Sequence, residues 1–353
     1  MAHNHLAVVS APANTTARAT VIGATLALAL VFVMVLAVAI GAVAIPVGDV
    51  AKIIANRWLG AGFAPDWSAG RESIVVDVRL PRAILGAIVG AGLALVGAAL
   101  QAVTRNPLAD PHLLGISSGA AFGAIFVLLH LGLIWGMVTV PLFAFAGALA
   151  ATAIVLAITR FTSGTSADRL VLVGVAIAFV ITALGNFLIF MGDPRAAHTV
   201  IFWMLGGLGL AQWSHLAYPL IALLGVGAWL MVRANALNAM TLGDETATTM
   251  GIPAARFRMS VFVAGALLTG AVVAFSGVIA FVGLMVPHIV RAIVGGDYRR
   301  VLPISALVGA LLLVATDILA RTLVAPQDLP IGILTGLIGG GFFIILMRRR
   351  RMG

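Results

Sequence analysis

The segment Leu242–Arg258, LGDETATTMGIPAARFR, is a polar island in a chain that is otherwise mostly hydrocarbon. Apolar runs precede and follow it, so it is expected to lie in water between two membrane spans. Asp244 and Glu245, two of the chain's 12 acidic residues, stand where a short helix begins, favoured there by the positive end of the helix dipole. Gly251 ends that helix and Pro253 lets a second one start. A helix, a sharp turn and another helix are more structure than a connector between spans needs. The segment reads as a docking element for a soluble partner.

The bulk composition sets the surroundings. Of 353 residues, 62% are hydrophobic and 9% charged, and the mean hydropathy is +1.15. A soluble protein must show water far more polar surface, so the chain reads as an all-α polytopic membrane protein. The net charge of +9 raises the question of nucleic acid. The arginines answer it, because they gather at span ends and not along one face. Absence of cysteine excludes thiol redox chemistry, disulfides and Cys-ligated metal. The first apolar run, preceded by Arg18, is too long for a signal-peptide core and reads as an uncleaved first span.

A helix needs about 20 apolar residues to cross a bilayer. Full-length candidates are Val21–Ala44, Pro81–Val103, Ile116–Leu133, Val138–Ile158, Leu170–Phe190, Leu216–Val232, Val261–Phe281, Val301–Val324 and Ile331–Met347. A shorter apolar piece, Val282–Ile293, is broken by Pro287 and is tolerable only when buried among other helices. Counting it gives about ten spans and puts both termini on one side. With the amino terminus inside, 14 of the 21 basic residues fall in inner segments and seven in outer ones, in accord with the positive-inside rule. The expected organisation is a cytoplasmic tail at 1–20, one transmembrane domain at 21–348 with the helical hairpin at 242–258, and a basic cytoplasmic tail at 349–353. Two outer segments are not simple loops. Gly48–Leu59 fits a short surface helix, and residues 192–215 fit a partly buried re-entrant or surface helix. Glycines at four-residue spacing (Gly86 with Gly90, Gly119 with Gly123, Gly336 with Gly340) allow close helix contact within one subunit or between subunits.

Arg79-Leu-Pro-Arg82 stands at the outer end of the second span, with Pro81 suited to a helix start. Two arginines one turn apart serve either as snorkelling anchors or as a basic socket for carboxylates of an outside partner. Arg321 is placed to join them, or to pair with Asp317 at i−4. Gly115-Ile-Ser117-Ser118-Gly119 matches G-x-S-x-G, but a nucleophile elbow needs a preceding strand, and these serines open a membrane helix. The only lysine, Lys52, follows Ala51, so the phosphate-binding G-x-x-x-x-G-K-[ST] loop is absent. The seven histidines, His288 among them, lack metal-ligand spacing. Mid-span carboxylates of the kind that couple ions are scarce, so a stand-alone ion-coupled carrier is the weaker reading. The chain reads as a conduit whose energy arrives from a partner.

Several stretches together resemble the permease subunits of binding-protein-dependent ABC importers for haem, iron siderophores and cobalamin, the FecCD-type, type II importer family. They are Arg79-Leu-Pro-Arg82, the run from Gln101 through Arg105-Asn-Pro-Leu-Ala-Asp110-Pro to Leu114-Gly-Ile-Ser-Ser-Gly-Ala, Leu242-Gly-Asp-Glu-Thr-Ala with Met250-Gly-Ile, the run from Gly277 to Arg291, Asp317-Ile-Leu-Ala-Arg321, and Leu329-Pro-Ile-Gly-Ile-Leu-Thr-Gly. The resemblance covers nearly the whole chain after residue 20. It implies a ten-helix fold working as a homodimer in the bacterial inner membrane, with two ATPase subunits and a periplasmic binding protein. On that basis Leu242, Gly243, Asp244, Glu245, Thr246, Ala247, Met250 and Gly251 couple to the ATPase. Arg79, Arg82 and Arg321 receive glutamates of the binding protein. The fifth span lines the pathway, with Val173, Ala176, Phe179, Val180, Leu184 and Phe187 as the positions expected to face the cargo. Those positions are apolar, which suits the flat face of haem, and Leu329–Phe343 resembles the haem permeases. Ferric siderophores and cobalamin are the alternatives. ATP with Mg belongs to the partner subunit, and this chain is expected to bind no cofactor and perform no covalent chemistry.

Overall fold

The computed structural model describes residues 13–112, 115–161 and 167–350. Leu114 of the serine motif, residues 1–12 of the expected amino-terminal tail and residues 351–353 lie outside the described residues. Fifteen α-helices follow in order: α1 Ala13–Ala39, α2 Val47–Leu59, α3 Ala69–Ser73, α4 Leu80–Thr104, α5 Ile116–Phe126, α6 Thr139–Phe161, α7 Ala167–Met191, α8 Pro194–Met204, α9 Trp213–Val232, α10 Ala234–Thr241, α11 Asp244–Thr249, α12 Ala254–Ser276, α13 Val282–Val294, α14 Tyr298–Thr322 and α15 Ile331–Arg350. Among the described residues eight helices are long and apolar enough to cross a membrane, and two shorter apolar helices, Ile116–Leu131 and Val282–Val294, accompany them. The third span is thus shorter than its apolar run predicts. Its last turn widens into a π-helical stretch, Val127–Leu131, and Gly132 ends it.

The hub is α4, buried along nearly its whole length. Small residues make this possible, because helices in lipid associate by close packing and not by expulsion of water. A β-carbon at Gly90 would fall 2.1 Å from the Gly309 carbonyl oxygen of α14, and one at Gly97 would fall 1.9 Å from that of Gly283 in α13. Gly119 and Gly123 play the same part against Gly147 and Phe143 of α6, whereas Gly336 and Gly340 of α15 face no neighbour within 4 Å. Of the three spaced pairs, two therefore pack inside the subunit and one is left open.

Three breaks in the helical backbone meet. Residues 205–212 follow α8, Gly277–Phe281 separate α12 from α13, and α15 begins at Ile331. Ile331 N–H donates to Gly206 O at 2.9 Å, Gly332 N–H to Leu205 O at 3.0 Å, and Gly207 N–H to Ser276 O at 2.8 Å. Non-helical backbone in a membrane protein needs such mutual satisfaction. The seventh span consequently ends at Ser276 and not at Phe281 as its apolar run predicts. Residues 192–215 are realised as α8 and this re-entrant loop, and Gly48–Leu59 as α2.

Candidate functional site

The polar island folds as α11, a turn, and the first turn of α12. Gly243 opens α11 at φ 117° and Gly251 closes it at φ 81°, conformations that side-chain-bearing residues resist. The element is bolted inward by charge. The Asp244 carboxylate accepts from Arg258 Nη2 at 2.5 Å and lies 3.9 Å from Arg105 Nη2. The Arg258 side chain is buried, and its Nε donates to the Val103 carbonyl at 2.9 Å, near the end of α4. Ala247 is buried beneath the hairpin. What faces outward is Glu245, Thr246 and two large apolar side chains, Leu242 (67% exposed) and Met250 (62% exposed). Two apolar knobs flanking a negative charge make a surface that a groove can grip, and Arg258 ties α11 to α12 and α4.

The outer arginines converge as well, but inward. Arg79, Arg82 and Arg321 are 6%, 7% and 6% exposed. The first and third finish the carboxyl end of α1, whose last carbonyls have no partners within the helix. Arg79 Nη1 donates to Val38 O at 2.8 Å and Ala39 O at 2.9 Å, and its Nη2 donates to Val43 O. Arg321 Nη2 donates to Ala37 O at 2.8 Å and its Nη1 to Ile40 O at 3.1 Å. Positive charge at that end also suits the helix dipole. Arg82 bridges two acids, Asp317 at 2.9 Å and the half-exposed Asp328 at 2.5 Å, while Arg321 pairs with Asp317 at 3.0 Å. A π-helical stretch, Ile74–Arg79, leads directly into α4 and carries Arg79 at its end.

Along α7, Leu170, Gly174 and Gly185 are buried, whereas Ala176, Phe179, Val180, Leu184 and Phe187 are exposed and Val173 is half-buried. Phe179 is 74% exposed. One side of the helix packs on α5 and α6 and the other is a bare apolar face. Ser117 is buried and the Ser118 hydroxyl donates to Gly115 O at 3.2 Å, so both serines serve the start of α5.

Sequence reasoning missed Arg258 and Arg105 as the anchors of Asp244, and α10, which sits between α9 and α11. A buried arginine at the start of a span was the available signal.

The FecCD transport family model matches residues 18–349. This chain belongs to the FecCD transport family. The hemin transport system permease protein HmuU of Yersinia pestis is 40% identical over 289 residues, covering 80% of this chain and 86% of HmuU. The vitamin B12 import system permease protein BtuC of Citrobacter koseri is 38% identical over 286 residues, covering 80% of this chain and 85% of BtuC. A solved ABC transporter described as metal-chelate type, in an inward-facing conformation, superposes with a TM-score of 0.81 at 29% identity, covering 94% of this chain and 99% of that one. As a FecCD protein the chain is a multi-pass permease subunit of an ABC importer with the type II fold, a transport subunit and not an enzyme. Family members work with ATPase and binding-protein partners, and ATP is used by the separate ATPase subunit. The stand-alone carrier and the intramembrane hydrolase fall away with that membership.

Proposed function

We propose that this FecCD permease moves haem from a periplasmic binding protein into the cytoplasm, as a homodimer in the bacterial inner membrane with two ATP-binding cassette subunits. Cargo passes between the two copies along α7, past Val173, Ala176, Phe179, Val180, Leu184 and Phe187. The observation that carries this reading is the bare apolar face of α7, which in one chain alone has nothing to cover it and which matches a flat apolar cargo. The open Gly336 and Gly340 of α15 offer a second surface for the partner copy. The 40% identity to HmuU favours haem, and the 38% identity to BtuC keeps cobalamin as the second reading.

Leu242, Gly243, Asp244, Glu245, Thr246, Ala247, Met250 and Gly251 form the part gripped by the ATPase subunit, with the outward Leu242, Glu245 and Met250 making contact and Asp244 transmitting the pull. Both termini and this hairpin face the cytoplasm, with tails at 1–20 and 349–353 and one transmembrane domain between them. The excess of inner arginines supports that orientation. Arg79, Arg82 and Arg321 receive carboxylates of the binding protein. Approach is by way of Arg82, because its acid partner Asp328 is the one group of the cluster that reaches the surface. The test is ATP hydrolysis by the reconstituted importer with its binding protein, loaded with haemin, a ferric siderophore or cobalamin. Stimulation by haemin alone is expected, and stimulation by cobalamin without haemin would end the haem reading.

A further inference from the structure

A groove of about 800 Å³ runs between the cytoplasmic end of α6, α9 and α12, away from the hairpin's outward face, the α7 face and the outer arginines. Its α12 wall is Arg256, Met259, Ser260, Val263, Ala264 and Leu267. These stand at i, i+3, i+4, i+7, i+8 and i+11, one continuous stripe of the helix. Gly225 and Trp229 of α9 form the facing wall, and Arg160, in the last turn of α6, stands at the cytoplasmic end with Arg256. The groove is apolar along its length and cationic at one end.

Three observations identify the occupant. The first is charge. Four arginines on this side are tied to acids, Arg105 and Arg258 to Asp244, and Arg299 and Arg300 to Asp297. Arg160 and Arg256 are exposed, and among the described residues no carboxylate reaches either. The second is length. From Arg256 to Leu267 the helix rises about 16 Å, close to the roughly 15 Å of hydrocarbon in one leaflet. The third is vacancy at the right depth. A β-carbon at Gly225 meets nothing within 4 Å, and Trp229, packed on Phe257 with ring centres 6.1 Å apart, marks the interfacial zone that tryptophan prefers.

We propose that this groove holds one anionic phospholipid of the cytoplasmic leaflet, its phosphate between Arg160 and Arg256 and an acyl chain along α12 toward Leu267. Guanidinium pairs phosphate by two parallel hydrogen bonds, and two of them select a net negative headgroup over a zwitterionic one, whose cationic end they repel. A free phosphate would leave the apolar stripe uncovered. Arg256 is two residues from Arg258, so the headgroup sits beside the joint between α11 and α12.

The test is native mass spectrometry of the full-length protein in detergent, titrated with phosphatidylglycerol or phosphatidylcholine. Phosphatidylglycerol is expected to be retained in preference. The double variant Arg160→Gln/Arg256→Gln should weaken its retention by about 25-fold, roughly fivefold for each arginine. Gly225→Leu adds bulk where there is room and keeps both charges, so it should lower retention without disturbing the fold. Equal retention of the two lipids, or unchanged retention in both variants, overturns the proposal. So does displacement of the lipid by millimolar inorganic phosphate, or loss of ATPase-subunit association with lipid retention intact.

Discussion

Asp297 caps α14, and both of its carboxylate oxygens accept hydrogen bonds. Its Oδ1 accepts from Arg299 N at 3.0 Å and from Asn238 Nδ2 at 2.8 Å, and its Oδ2 accepts from Arg299 Nη2 at 2.9 Å. The Arg299 side chain, and after it Asn238, hold this carboxyl down at about 2, against an ordinary 3.8. A carboxyl depressed in the folded state contributes stability that is complete above the unfolded value and disappears as pH falls through the folded one. Asp297→Asn keeps the cap and removes the charge, so it should cost about 0.5 kcal/mol near neutrality. Thermal melts of wild type and variant should differ by a constant amount above about pH 5 and converge between pH 4 and 2. A pH-independent gap would mean the charge is idle. Asp328, between α14 and α15, poses the complementary question. It is the internal competitor for Arg82, so Asp328→Asn should tighten docking of the binding protein several-fold if Arg82 receives a partner carboxylate. Unchanged affinity in a surface-binding assay would leave Arg82 a purely internal strut. Reversing Arg82 is the cruder experiment, because stranding one charge of a buried pair costs about 3–5 kcal/mol by itself.

Among the helices, α4 and α13 meet through Gly97 and Gly283 with backbone on backbone. Gln101 adds a clasp, its Nε2 donating to Gly283 O at 3.1 Å while its Oε1 accepts from Arg291 Nη2 at 2.7 Å. Gly97→Ala must push the two helices apart, and overpacking of this kind costs about 1–3 kcal/mol. Its melting temperature in detergent should fall, whereas Gly48→Ala in α2, with open space around it, should melt like the wild type. The spans were legible in the chain because twenty apolar residues have few other fates, and α11 was legible because Asp244, Glu245, Gly251 and Pro253 punctuate it. Two things were hidden. Residues 234–241 carry no cap or breaker that separates α10 from the end of α9. The partners of the outer arginines were hidden by distance along the chain, since Arg82 and Asp317 are 235 positions apart. The i−4 pairing of Arg321 with Asp317, by contrast, could be read off directly, as could the short apolar helix α13.

At the scale of the molecule, α4 is a strut of 25 residues, about 37 Å long, with a fixture at each end. Val103 holds Arg258 and through it Asp244, and Arg82 at the other end holds Asp317 and Asp328. The hairpin and the outer cluster are thus mounted on one rod. The cluster also has a temporal side. A chain threaded into the bilayer from its amino end delivers α1 first, yet the donors that satisfy its terminal carbonyls come from Arg79 and, some 240 residues of synthesis later, from Arg321. Until α14 has been made, the opening span of this protein is held on one side only. The first helix of the bundle thus depends, for the last of its hydrogen bonds, on the last but one.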